Sequence, residues 1–329
     1  MSKRRLSKQQ RLRIAENQQN ELSSADKDSP INESDYNGRI ISHYGQQLDV
    51  EVLAGENSTA TIRCHQRANL PPLVTGDLVL WEQDTEEAGV IVAIAKRKNV
   101  FARPDVQAKL KPLAANIDYV LVVFAVVPEP FLNLIDRYLV AINSLGLEPL
   151  LVLNKVDLLS TIPSEQIANM LSIYRGLGYP VFEVSALQGT GVAALQANLR
   201  NKIAVLVGQS GVGKSSLVNR LGYDHLADVG DLSKSKYKGT HTTTTSRLFH
   251  LQDFDLIDSP GIREFSLGHM DADSVLAGFL ELRCCAAECK FRDCSHSSEP
   301  GCAIQAAIEN GDVTADRFES FQSILKSME

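Results

Sequence analysis

No apolar run in the 329-residue sequence reaches the roughly 18 to 20 residues that a membrane-spanning helix needs. The longest, residues 119–127, is only strand-sized. Residues 1–13 are basic, but no apolar stretch follows them, so they do not read as a secretory signal. The cytoplasm is the expected location, with no membrane partner. Positive charge is also short. A net charge of −7 argues against a general nucleic-acid binder. Cysteine is scarce outside one cluster: five of the six lie between Cys284 and Cys302, and Cys64 stands alone. In a cytoplasmic chain, such a cluster points to metal more than to disulfides. There are no internal repeats. What is present, 44% hydrophobic and 22% charged residues, suits a soluble globular protein with room for two or three domains.

The charge is unevenly spread. Lys3, Arg4, Arg5, Lys8, Arg11 and Arg13 are set against no acid in the first thirteen residues. Removing those six cations from the total of −7 leaves −13 on the rest. Such an arm could reach a phosphate backbone, although a solvated tail would carry the same charge. Residues 1–35 are polar and poor in aromatics, the composition of a disordered segment. Five short β-branched runs follow between residues 39 and 94, separated by Gly, Asn, Asp and Pro. They predict a small β-barrel over 36–100, either an OB-fold or an SH3-like barrel. Lys96, Arg97, Lys98, Arg103, Lys109 and Lys111 make a basic connector. Strand and helix patterns then alternate to about residue 267, predicting a doubly wound α/β domain over 101–267. Residues 268–329 read as helical and cysteine-rich.

Two motifs stand in an unusual order. Gly208-Gln209-Ser210-Gly211-Val212-Gly213-Lys214-Ser215, followed by Ser216, fits the phosphate-binding P-loop. Its glycines let backbone N–H groups wrap phosphates, and the helix beginning near Lys214 adds its N-terminal amides. Lys214 should reach the β- and γ-phosphates, and Ser215 should ligate Mg²⁺. Asn154-Lys155-Val156-Asp157 has the guanine-reading form N-K-x-D, yet it precedes the P-loop by about fifty residues. Ordinary Ras-like GTPases have the reverse order, so the chain looks circularly permuted. Asp157 can accept guanine N1–H and the 2-amino group, a pairing that adenine lacks. Ser185-Ala186-Leu187 matches the S-A-x element, whose backbone N–H can bond guanine O6. Asp258-Ser259-Pro260-Gly261 fits the D-x-x-G of switch II: Asp258 can hold Mg²⁺ through water, and Gly261 can sense the γ-phosphate.

Between the P-loop and D-x-x-G lies Gly239-Thr240-His241-Thr242-Thr243-Thr244-Thr245. One threonine of this run should be a magnesium ligand, and Thr243 is the candidate. Gly261 is followed by Ile262, which cannot orient water as a Gln near this position does in Ras. His241 is the candidate for that task; a plain loop histidine is the other reading. Farther on, Cys289, Cys294, His296 and Cys302 form a complete Cys₃His set, which reads as one structural zinc site. Cys284 and Cys285 stand on a helical segment and are left out of it.

The ordered series N-K-x-D, S-A-L, G-Q-S-G-V-G-K-S-S, G-T-H-T-T-T-T, D-S-P-G and C-x4-C-x-H-x5-C resembles the ribosome small-subunit-dependent GTPase (RsgA) family over nearly the whole chain. The resemblance implies an N-terminal OB-fold, a central circularly permuted Ras-like GTPase and a C-terminal, mostly helical zinc domain. It also implies late maturation of the 30S subunit through contact with 16S rRNA, with hydrolysis stimulated by that particle. His241 is the family's catalytic candidate as well. The family commonly has Arg where this chain has Thr240. A GTP/GDP-binding monomer is expected. A different class remains open, an RNA-binding module gated by nucleotide in which slow hydrolysis is only a timer. A metabolic kinase would leave N-K-x-D and S-A-L without a role.

Overall fold

The computed structural model describes residues 35–45, 47–53, 60–85, 88–105, 109–161, 165–222, 246–258, 267–297 and 299–328. Contacts divide the chain into two compact units. The first runs to Ile117 and also takes in residues 246–249 and 257–258; the second holds the remainder.

The first unit is built from β1 (Gly38–Tyr44), β2 (Gln47–Val52), β3 (Thr61–Gln66), β4 (Leu78–Gln83) and β5 (Ala88–Ile94). Their order is β1-β2-β3-β5-β4, and β4 pairs again with β1. That pairing closes a five-stranded barrel, so no edge is left along it. β3 and β5 run parallel, and the other neighbours are antiparallel. This closed five-strand order is the OB-fold, which settles the choice between the two barrels. Alternation sends Ile40, Leu48, Val50, Cys64, Val79, Ile91 and Ile94 inward. Fully buried Asp77 accepts from Arg97 Nε at 2.7 Å and from the Val74 amide at 2.8 Å. Part of the basic connector forms a hairpin of its own, β6 (Val100–Pro104) with β7 (Leu110–Ala115), which groups with this unit.

The second unit carries the parallel sheet: β8 (Tyr119–Ala125), β9 (Pro149–Asn154), β10 (Val181–Glu183) and β11 (Ile203–Val207), in the order β10-β9-β8-β11. The chain steps outward from β8 to β10 and then returns to the far side of β8. That reversal is a topological switch point, where open α/β sheets bind ligands at the strands' carboxyl ends. β8 and β9 are buried almost throughout, because helices cover both faces. α1 (Leu132–Ser144) turns Ile135, Tyr138, Leu139 and Ile142 to the core, and α2 (Glu165–Gly176) turns Ile167, Met170, Leu171 and Tyr174. Both sets follow the i, i+3, i+4, i+7 rule. α3 (Val192–Leu199) and α4 (Lys214–Leu221) complete the unit's main core with Leu195, Leu199, Leu217 and Leu221. Burial of each such leucine stabilises the fold by about 1.5–3 kcal/mol. A hairpin, β12 (Arg247–His250) and β13 (Asp255–Asp258), is shared between the units by residue.

The C-terminal helices belong to this second unit: α5 (Ala272–Gly278), α6 (Leu280–Ala286), α7 (Ala303–Asn310) and α8 (Ala315–Lys326). α5 lies so close on α1 that a Cβ on Gly278 would come within 2.8 Å of Val140 Cα. Arg317 of α8 is 2% exposed. Its guanidinium pairs with the carboxylate of Asp136 on α1 and donates from Nε to Glu281 of α6 at 2.7 Å. The same group stacks 4.4 Å from the Phe279 ring centroid, and the Tyr174 hydroxyl donates to Asp136 at 2.7 Å.

Candidate nucleotide and metal sites

The phosphate end is made of backbone. β11 delivers the chain to Gly208, whose φ of +140° suits glycine. A Cβ there would lie 2.1 Å from the Val123 carbonyl oxygen. Gly213 (φ +88°) precedes α4 and gives it no side-chain cap. The first-turn amides are thereby left to an anion, and the helix dipole favours one. Gln209 is half-buried, Ser210 and Gly211 are exposed, and Val212 is anchored in the core. Lys214 Nζ donates to the Gly208 and Gln209 carbonyls, each at 2.6 Å, so the ammonium sits over the loop. Ser215 and Ser216 are exposed on the first turn.

The base end ties three motifs together through one amide. Asn154 is buried at the carboxyl end of β9. Its Nδ2 donates to the Val212 carbonyl at 2.9 Å, and its Oδ1 accepts the Ala186 N–H at 3.0 Å. A guanine O6 approaching Ala186 therefore has to share that donor with Asn154. Lys155, in the left-handed region at φ +63°, donates from Nζ to the Gly211 carbonyl at 2.7 Å and to that of Val127 at 2.6 Å. Its ammonium clamps the P-loop to the segment leaving β8. Asp157 stands in a 3₁₀ turn, Val156–Ser160, and accepts from the Ser185 hydroxyl. As an acceptor-only group, it has the chemistry that guanine N1–H and the 2-amino group require. The Ser185 loop closes on itself: Ser185 N–H donates to Thr190 O at 2.9 Å and Gly189 N–H to Ser185 O at 2.7 Å. Leu187 projects from this loop, 81% exposed.

The structure brings the P-loop, N-K-x-D and S-A-L residues to one edge of the sheet. Asp258 is exposed at the end of β13, grouped with the first unit. Gly261, His241 and Thr243 lie outside the described residues. Sequence reasoning did not single out the Val127 carbonyl, the Thr190 carbonyl or Arg220, whose guanidinium lies against Gly189. Two of these contributions are backbone and leave no residue signature; Arg220 read only as one residue of the P-loop helix.

The sulfur cluster also forms. The ligand atoms of Cys289, Cys294, His296 and Cys302 lie within 4.8 Å of one another. His296 Nδ1 is 3.6 Å from both Cys289 Sγ and Cys302 Sγ. A tetrahedral site with ordinary metal–sulfur and metal–nitrogen bonds has S···N edges of roughly 3.5 Å, so the four residues fit a single metal ion. Desolvation and the adjoining Cys302 and Cys289 thiols push the Cys294 thiol up to about 11. A divalent cation among such thiols deprotonates them outright. Desolvation lowers His296, which favours the neutral, ligating imidazole. The surrounding groups hold the cluster: Ala303 N–H points to Cys289 Sγ at 3.4 Å, and Gln305 Nε2 donates to the His296 carbonyl at 2.8 Å. Cys284 and Cys285 are not part of this group.

Comparison with known proteins agrees with this geometry. Residues 94–268 match the RsgA GTPase family. Small ribosomal subunit biogenesis GTPase RsgA of Pseudomonas syringae pv. tomato is 48% identical over 338 aligned residues, covering 100% of this chain and 98% of the relative. The protein of that name from Pseudomonas putida is 52% identical over 292 residues, covering 88% and 85%. Among solved structures, YjeQ from Thermotoga maritima superposes with a TM-score of 0.72 at 30% identity, covering 88% of this chain and 97% of that one. YloQ, described as a circularly permuted GTPase, gives 0.68 at 25%, covering 88% and 94%. Identity at this level across the full length, on a permuted fold whose motifs meet at one sheet edge, shows that the chain belongs to the RsgA GTPase family and is a GTP hydrolase.

Proposed function

We propose that this GTPase binds the small (30S) ribosomal subunit and couples GTP hydrolysis to a late maturation or release step of that particle. The observation that carries the reading is the full-length identity with relatives named as small ribosomal subunit biogenesis GTPases. Guanine is selected by Asp157, held in place by Ser185, while Lys155 and Asn154 fix the base loop to the phosphate loop. The P-loop amides and Lys214 stabilise charge on the β- and γ-phosphate oxygens. Ser215 and Asp258, with a switch threonine for which Thr243 is the candidate, would hold Mg²⁺. When bound, that ion neutralises charge on the transferring phosphoryl oxygens. His241 orients the attacking water, since Ile262 cannot.

The permuted order supports a route for coupling. D-x-x-G runs straight into the C-terminal helices, and the barrel precedes the GTPase at the other side of the same cut. A γ-phosphate-dependent shift in that segment would act on both flanks. We assign 36–100 to the barrel, 101–267 to the GTPase domain, although its first residues, to Ile117, group with the barrel's unit, and 268–329 to a domain folded around one structural Zn²⁺, chosen for its soft, closed Cys₃His set. The arm of residues 1–35, the barrel and the 96–111 segment are the surfaces expected to meet 16S rRNA, in a cytoplasmic monomer. The test is GTP turnover by the pure protein alone and with 30S subunits, 50S subunits or bare rRNA. A large rise with 30S alone is expected, and it should vanish in His241→Ala while GTP binding persists. An equal rise with 50S, or none with 30S, overturns the proposal.

A further inference from the structure

The loop between two candidate metal ligands of the C-terminal region carries a feature that neither the nucleotide site nor a metal would use. Between the ligands Cys289 and Cys294 the chain reads Lys290-Phe291-Arg292-Asp293. All four residues are exposed, and Phe291 keeps 42% of its surface open. A single surface apolar residue is ordinary. This one differs in its support. Lys290 Nζ lies 5.4 Å from the Phe291 ring centroid. The Lys290 stem rests on Gly301, where a Cβ would come within 3.1 Å of Lys290 Cβ, and the Lys290 amide donates to the Gly301 carbonyl at 3.2 Å. The loop thus begins and ends on two residues of the Cys₃His set and is tied by backbone at Lys290, just before Phe291. It holds out an aromatic ring with a cation on each side in sequence.

We propose that Phe291, with Lys290 and Arg292, is a stacking platform for an unpaired RNA base. Flat aromatic faces stack on any base, and neighbouring cations reach the adjoining phosphates. Preorganisation matters because a ring already held out loses little freedom on binding. The charge balance sets the character of the contact. Glu288 and Asp293 are exposed nearby and offset the two cations. Stacking, rather than attraction to the phosphate backbone, therefore supplies most of the affinity, so this contact responds weakly to salt. The inference rests on the proposed ribosomal action only for the source of the RNA.

The test uses the full-length protein with a fluorescent single-stranded oligoadenylate and, separately, with 30S subunits. Phe291→Ala should weaken oligonucleotide binding about ten-fold, the loss expected for one stacked base. Metal content and basal GTP hydrolysis should stay unchanged. Phe291→Trp should retain affinity, and its indole fluorescence should be quenched when the oligonucleotide is added, beyond any change that Trp81 shows in the parent protein. Unchanged oligonucleotide binding in Phe291→Ala, or an unquenched indole in Phe291→Trp, overturns the proposal. So does a loss confined to 30S subunits, which would make the patch a protein contact. If the parent protein binds the oligonucleotide through Phe291 but does not respond to 30S subunits, the ribosomal reading fails while the stacking site stands.

Discussion

Two polar clusters in the second unit are built on opposite plans. At the base end, Asn154, Lys155, Asp157 and Ser185 bond mainly to backbone carbonyls and to each other. At the C-terminal clasp, Arg317 meets two carboxylates, Asp136 and Glu281, in a place that water hardly reaches. The first cluster needs short spacings at strand ends and glycines that let the backbone come close. The second joins residues 181 positions apart through a buried, hydrogen-bonded ion pair backed by the Phe279 ring. The first plan leaves contiguous motifs. The second leaves none, although it ties the C-terminal helices to α1 beside the close packing at Gly278. Function here is written locally, and the attachment that would transmit it is written at long range.

The sharpest test of this contrast is Asp157→Asn. An amide at this position offers guanine N1–H and the 2-amino group a donor where an acceptor is required. GTP affinity should fall by about a thousand-fold or more, the scale on which a mispaired buried polar group is rejected. Xanthosine triphosphate, whose ring carries a carbonyl in place of the 2-amino group, should gain. Unfolding stability should barely move. Titration with fluorescent nucleotides and a urea melt give both answers, and retained GTP affinity would remove Asp157 from the base site.

Arg317→Met should do the reverse. It leaves buried Asp136 and half-buried Glu281 without their cation, at a cost of about 3–5 kcal/mol. Burial pushes the Asp136 carboxyl up, opposed chiefly by Arg317. With the guanidinium gone, the carboxyl is protonated in the folded state at pH values where the unfolded chain has already lost the proton. A raised folded pKa means that stability is present below the unfolded pKa and is lost as pH rises. The variant should therefore be most damaged at alkaline pH and partly relieved toward pH 4. Denaturant melts across that range check the sign. GTP affinity should change little; a fall matching the stability loss would show that the two clusters are one cooperative structure.

The contrast also explains what the sequence disclosed. Runs such as Leu150-Leu151-Val152-Leu153 announce a strand buried on both faces, and Asn154 follows at its end. The four candidate metal ligands, spaced over fourteen residues, announced their cluster. The closed barrel order was half legible: alternation placed the strands, but only the β1–β4 pairing distinguishes an OB-fold. Lys111 and its neighbours read as a connector because their charge hid a hairpin in which Phe101 and Ala114 are fully buried. The sequence does not single out Asp136 or Arg317, charged residues in segments that read only as helical. Their role depends on which helices pack together, and hydrophobic periodicity does not encode that.

The smallest effect comes from the edge of the clasp. Tyr174 is fully buried on α2, and its hydroxyl donates to Asp136 at 2.7 Å. Burial raises the phenol well above its ordinary range, and the Asp136 charge adds to the shift, so it remains a donor at every working pH. Tyr174→Phe keeps the ring and removes one hydrogen bond to a charged acceptor, at a cost of about 1.5–3 kcal/mol. A double variant with Arg317→Met separates additive from shared loss. If the clasp acts as one network, the two losses should sum to more than the double variant shows, since Asp136 without Arg317 takes up a proton and needs the phenol less. Strict additivity would mean that the Tyr174–Asp136 bond is independent of Arg317, and that the clasp is no more than the charges around Arg317.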